Sequence, residues 1–193
     1  MKEGRTMVDE AALEQAARMI IEALGDDPTR EGLVETPRRF AKMMSELMEG
    51  MSYTNHEIAQ MHGKCFTSTS DGMVVEKDIP VFSFCEHHIA LMYDMQVSVC
   101  YVPNGKVIGL SKIARIAEMC AKRLQLQERI TQDIWDVLVE VLDTRDVAVF
   151  VRGKHSCMTA RGIKKPEALT CTNVLGGRFR DDPLLRAEVR ELM

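Results

Sequence analysis

Residues 96–142 read QVSVCYVPNGKVIGLSKIARIAEMCAKRLQLQERITQDIWDVLVEVL, and a change of period inside this stretch sets the fold class. Val97, Val99 and Tyr101 alternate with Gln96, Ser98 and Cys100, the two-residue period of a strand. Pro103-Asn104-Gly105 is a turn signal, and Lys106 to Leu110 follows as a second short run, so the spacing predicts a hairpin. From Ile113 the period lengthens. Ile113, Ile116, Ala117, Cys120, Ala121 and Leu124 share one helical face, and Ile130, Ile134, Val137, Leu138, Val141 and Leu142 share another. Strands that run straight into a helix pair predict helices packed on one face of an antiparallel sheet.

The flanks extend the pattern. Val74 to Lys77 and Ile79 to Phe84 are strand candidates upstream, and Val147 to Arg152, His155 to Arg161 and Leu169 to Leu175 are candidates downstream. A short helix follows Asp182-Pro183. The order is helices, ββ, αα, ββ, an α+β fold. Before it, Leu13, Ala16, Ala17, Ile20, Ile21 and Leu24 recur at helical spacing between Asp9, a cap, and Gly25, a stop. Thr36-Pro37 opens a second helix with Phe40, Met43, Met44 and Leu47 on its apolar side, and Gly50 ends it. Residues 1–72 therefore read as an N-terminal helical arm with a connector, and residues 73–193 as the main domain. A small sheet leaves edges that need covering, which favours a homo-oligomer.

Composition narrows the function classes. A formal net charge of -4 argues against a general nucleic-acid binder, although Arg152, Lys154, Arg161, Lys164 and Lys165 form a local basic cluster without an acidic residue among them. No apolar run reaches the length of a membrane span, and charges from Lys2 to Glu14 leave no apolar leader. A cytoplasmic protein is expected, with its six cysteines as thiols.

Cys85-Glu86-His87-His88 follows a strand candidate, and C-x-x-H spacing can place a thiolate and an imidazole on one ion. His155-Ser156-Cys157 lies in a later strand pattern, where residues two apart share a face. Thiolate with imidazole suits zinc better than magnesium or calcium. Two arrangements stay open on spacing alone: a closed structural site of Cys85, His88, His155 and Cys157, or three ligands with an open position and spare histidines as proton carriers. Ser111-Lys112 lies at a helix start with Arg115 one turn on, a plain cap or an anion site. Gln127-Glu128 opens the next helix, where a carboxylate serves as a first-turn acid or accepts hydrogen bonds from a guanine-like edge.

Taken together these residues resemble the GTP cyclohydrolase I family. The likeness is carried by TPRRFAKM (36–43), CEHH (85–88), YVPNGKVIGLSKIAR (101–115), RLQLQER (123–129) and HSCMTARG (155–162). The resemblance implies a tunnelling fold, whose ββααββ order agrees with the pattern above. It implies one zinc ion per subunit on Cys85, His88 and Cys157, with His87 and His155 as acid/base groups and Ser111 assisting a later rearrangement. It implies that Gln127 and Glu128 recognise guanine and that Arg39, Lys112, Arg115 and Arg161 hold the triphosphate. The implied reaction is attack of zinc-activated water on C8 of GTP, ring opening, loss of formate and closure to dihydroneopterin triphosphate, a step of folate-type pterin biosynthesis. The implied assembly is a homodecamer with active sites between subunits. After the CEHH motif this chain continues Ile89-Ala90-Leu91-Met92-Tyr93 in place of the family's usual proline and aromatic pair, which bears on the shape of that loop.

Overall fold

The computed structural model describes residues 8–192; the charged leading residues 1–7 lie outside it. Contacts divide the chain into two units, one ending at Ser52 and one beginning at Tyr53.

In the first unit, helix α1 (Glu10–Ala23) starts where the Asp9 carboxylate accepts the Ala12 N–H at 3.0 Å, and it gives way to Gly25 at φ +83°. Helix α2 (Thr36–Leu47) carries Pro37 in its first turn, where a missing N–H costs nothing. The two helices pack together through Ala17, Ile21, Ala41 and Met44. Ile20 and Leu24, which the helical spacing assigns to the same apolar face, remain exposed. A short 3₁₀ turn, Glu49–Ser52, closes the unit.

The second unit begins with α3 (Asn55–His62), opened by a reciprocal capping box between Thr54 and Glu57. Then follow β1 (Cys65–Thr67), β2 (Val74–Cys85), β3 (Ala90–Tyr101), β4 (Lys106–Ile108), α4 (Leu110–Ala121), β5 (Leu124–Gln125) and α5 (Gln127–Leu142). The chain ends in β6 (Val147–His155), α6 (Ser156–Thr159), β7 (Thr170–Leu175), α7 (Gly177–Asp181) and α8 (Pro183–Leu192). Five strands form one sheet in the order β5-β2-β3-β6-β7, antiparallel except for the short β5, which runs parallel to β2. The α+β class and the ββααββ core follow the sequence pattern.

Three local expectations are corrected. The two strand candidates around residue 78 are one strand, β2, interrupted by a bulge at which Asp78 takes φ +58° and donates its N–H to Ser98 Oγ at 3.3 Å. The hairpin expected across Pro103-Asn104-Gly105 does not pair with β3. Tyr101 is already flanked by Val74 and Val147, so β3 has no free edge, and β4 pairs instead with β1, Cys65 opposite Ile108. The strand expected over residues 155–161 stops at His155, and Cys157 lies in the helical turn α6.

The main core fills the space between one face of the sheet and the helices α3, α4 and α5. Val97, Val99, Val149 and Val151 meet Ile113, Ile116, Ile130, Ile134 and Leu138, all essentially inaccessible. The opposite face is covered at one end by α7 and α8, where Phe179, Leu185 and Val189 bury Cys100 and Ala148. Polar ties fix the helices in register: Trp135 Nε1 donates to Val147 O at 2.9 Å, and Arg123 bridges Asp133, Asn55 Oδ1 and the Tyr53 carbonyl, each at 2.9 Å. Among the described residues no helix is long and apolar enough to cross a membrane.

Candidate metal centre and active site

The CEHH motif is the turn of the β2–β3 hairpin. Cys85 pairs with Ala90 across the ladder, leaving Glu86, His87, His88 and Ile89 as the loop. Two contacts hold it. Glu86 N–H donates to Gln125 O at 3.1 Å, and the Glu86 carboxylate receives Arg129 Nη1 at 2.6 Å, which keeps the carboxyl below its ordinary range. Ile89 closes the loop at φ +48°, a conformation that branched side chains rarely adopt.

Cys157 arrives from elsewhere. Strand β6 pairs with β3, His155 opposite Met92, and α6 then turns the chain so that Cys157 faces the loop. The Ser156 hydroxyl fixes that turn by donating to Leu91 O at 2.7 Å. As a result the ligand atoms of Cys85, His88 and Cys157 lie within 4.8 Å of one another, with Cys85 buried, Cys157 half-buried and His88 exposed. Zinc bonds of about 2.3 Å to sulfur place tetrahedral ligands about 3.8 Å apart, so the triangle needs to contract by no more than about 1 Å to close on an ion. Two sulfurs and one imidazole nitrogen are the donor set that zinc favours. Burial pushes the Cys157 thiol up, and the adjacent Cys85 sulfur adds to the shift, as two potential anions without a cation between them must.

The remaining histidines stand outside the triangle. His87 Nδ1 lies 3.7 Å from Cys85 Sγ, and its ring meets that of His88 edge-on, centroids 6.4 Å apart. His155 Nε2 sits 2.9 Å from Gln127 Oε1, so this ring is engaged by α5 and is not part of the donor cluster. Burial lowers the His155 pKa, opposed by the charge of Glu128. Arg161 Nη1 lies 2.8 Å from His88 Nε2; a guanidinium can only donate, so Nε2 presents its lone pair there.

The other residues singled out from sequence are placed as follows. Ser111, Lys112 and Arg115 lie on the first turns of α4, whose cap is Gly109, so the Ser111 hydroxyl makes no cap bond. Glu128 is exposed on the first turn of α5, while Gln127 beside it is buried. Arg39 is exposed on α2 in the first unit. Among the described residues, the hydrogen bonds that join Cys85, His87, His88, His155 and Arg161 to their neighbours do not include Ser111, Lys112 or Arg115. The Glu86–Arg129 pair was not singled out from sequence, although both residues sit inside motifs quoted above.

An α+β fold that brings two thiols and an imidazole within 4.8 Å of one another offers a candidate metal centre. Comparison with known proteins makes this specific. Residues 13–193 match the family model for GTP cyclohydrolase I. The GTP cyclohydrolase 1 of Clostridium acetobutylicum is 53% identical over 190 residues, covering 96% of this chain and 97% of that protein. That of Clostridium beijerinckii is 50% identical over 192 residues, covering 96% and 98%, and that of Clostridium botulinum strain Langeland is 52% identical over 184, covering 92% and 94%. The chain belongs to the GTP cyclohydrolase I family and is an enzyme of that type.

Proposed function

We propose that the chain hydrolyses GTP at C8 of the guanine, releases formate, and carries the opened nucleotide through rearrangement and cyclisation to 7,8-dihydroneopterin triphosphate, the entry to folate- or tetrahydrobiopterin-type pterin synthesis. The observation that carries this reading is the triangle of Cys85, His88 and Cys157, joined by family membership over nearly the whole chain. Those three residues would hold one Zn2+ per subunit. When bound, the ion supplies Lewis acidity that makes water a usable nucleophile near neutral pH.

The chain's own residues do the rest. His87 and His155, both left out of the donor triangle, move protons to and from the purine and the opened ring. Ser111 offers its hydroxyl to the later rearrangement of the ribose. Glu128, exposed at the start of α5, accepts hydrogen bonds from the N1–H and 2-amino group of guanine, a pattern a carboxylate matches with two oxygens. Gln127 supports it from the buried side. Arg39, Lys112, Arg115 and Arg161 take the triphosphate, where guanidinium forks suit phosphate oxygens.

Residues 73–193 form the catalytic tunnelling-fold domain, preceded by residues 1–72 as an N-terminal helical arm and connector. We place the active site between subunits of a homodecamer in the cytoplasm. That arrangement accounts for β7, which among the described residues has no partner strand on its outer side.

Incubation of zinc-loaded protein with GTP is expected to give stoichiometric formate and, after oxidation, a fluorescent pterin. A ring-opened formamidopyrimidine that accumulates without pterin overturns the full reaction.

A further inference from the structure

Gln127 is the first residue of α5, yet its side chain is only 1% exposed, an unusual position for a carboxamide meant to meet a ligand. Its Nε2 faces three oxygens: Val151 O at 3.1 Å, Thr170 O at 3.0 Å and Thr172 Oγ1 at 3.3 Å. Its Oε1 faces a single partner, His155 Nε2 at 2.9 Å. β6 supplies the room for this, because a Cβ on Gly153 would collide with Met95 Cγ at 2.6 Å and lie 3.5 Å from Gln127 Oε1.

The direction of every hydrogen bond in this cluster is determined. Thr131 donates its hydroxyl to Gln127 O at 2.8 Å, the ordinary back-bond of a helical threonine. Having spent its only proton, Thr131 must accept from Thr172 across their 2.6 Å contact. Thr172 is then without a proton to offer Gln127 and can only accept. Two carbonyl oxygens and an accepting hydroxyl therefore all face the carboxamide nitrogen; reversing the amide would set three acceptors against Oε1 with no proton between them. With the amide fixed, Oε1 is an acceptor, and the ring nitrogen opposite must carry hydrogen.

We propose that Gln127 is a positioning residue that fixes the hydrogen of His155 on Nε2 and sets the ring angle, leaving Nδ1 as the nitrogen that carries the lone pair. Nδ1 has no hydrogen-bond partner among the described residues. The inference deepens the reading above, since it rests on His155 as a proton-transfer group. The logic is that of any catalytic imidazole whose second nitrogen is held by a buried acceptor: the acceptor selects the tautomer and the ring angle without touching the substrate.

The test uses zinc-loaded enzyme labelled with 15N-histidine, the His155 signals being those that vanish in His155→Asn. Wild type is expected to show a hydrogen-bearing Nε2 and a bare Nδ1. Gln127→Met removes the acceptor at similar volume. It is expected to mix the two tautomers and lower kcat about 10- to 100-fold, with KM for GTP little changed. A bare Nε2 in wild type overturns the inference, as does Gln127→Met with an unshifted tautomer or with raised KM and unchanged kcat, the mark of a direct guanine contact. If Gln127→Met does not assemble, the wild-type spectrum alone decides. A His155→Asn enzyme with normal turnover sinks the proton-transfer role and leaves the tautomer standing, whereas a reversed tautomer with an inactive His155→Asn enzyme does the opposite.

Discussion

The sulfur of Cys85, at the end of β2, and that of Cys157, in the turn after β6, lie within 4.8 Å of each other. Two thiolates that close repel unless a cation lies between them. Cys157→Ser is accordingly expected to lose zinc, measured as a fall in metal content from about one ion per chain toward zero, together with turnover. Tight, stoichiometric zinc in that variant would contradict the role of Cys157 as a ligand.

His87 neighbours Cys85 Sγ without belonging to the donor triangle. His87→Ala should therefore leave zinc content near wild type and lower turnover of GTP by about 10²- to 10⁴-fold, the range for loss of a general acid or base. Loss of metal in step with activity would make His87 a ligand instead.

Cys100 and Cys120 have no accessible surface, and burial pushes both thiols up to about 12. In the unfolded chain they ionise near pH 8.5. The folded pKa is the higher one, so the unfolded state sheds its protons first. The stability these thiols contribute is whole below about pH 8.5 and declines as the pH rises toward 12, by about 1.4 kcal/mol per pH unit for each thiol. Denaturant midpoints between about pH 8 and 10.5, at one protein concentration, should fall more steeply for wild type than for the Cys100→Ala, Cys120→Ala double variant. Parallel slopes would show that the two thiols ionise without unfolding.

Ile89 holds φ +48° at the end of the metal loop while its side chain is 56% exposed. Little packing is lost by replacing it, and asparagine visits the left-handed region with less strain. Ile89→Asn is expected to stabilise the chain by about 1 kcal/mol, or about 2–4 °C in Tm, with zinc content unchanged. A lower Tm would mean that Ile89 is covered in the assembled protein.

The helix pair and its buried face were legible because five apolar positions on α4 and six on α5 keep one period and all are buried in the structure, whereas Leu124, assigned by spacing to the first face, lies in β5. The helical spacing overestimated α1, where Ile20 and Leu24 fit the stripe but remain exposed. Pairing was less legible than period. Pro103-Asn104-Gly105 turns the chain as expected, but a turn cannot reveal that β3 is already bonded on both edges. The capping box of Thr54 and Glu57 was a readable signal for α3 that the sequence reading did not use. At the site, C-x-x-H was local and visible. Cys157 was anticipated by the wrong geometry: a strand would have aligned His155 and Cys157, whereas the turn at α6 separates the ligand from the histidine. The burial of Gln127 depends on contacts with β6 and β7, which no window around residue 127 contains.

Cys85 and His88 share one hairpin, whereas Cys157 depends on the pairing of β6 with β3, so the candidate metal centre joins donors set by two separate strand registers. A slip of β6 by one residue along β3 would carry Cys157 away from the loop. Metal content of a purified subunit would thus report on the register at the centre of its sheet.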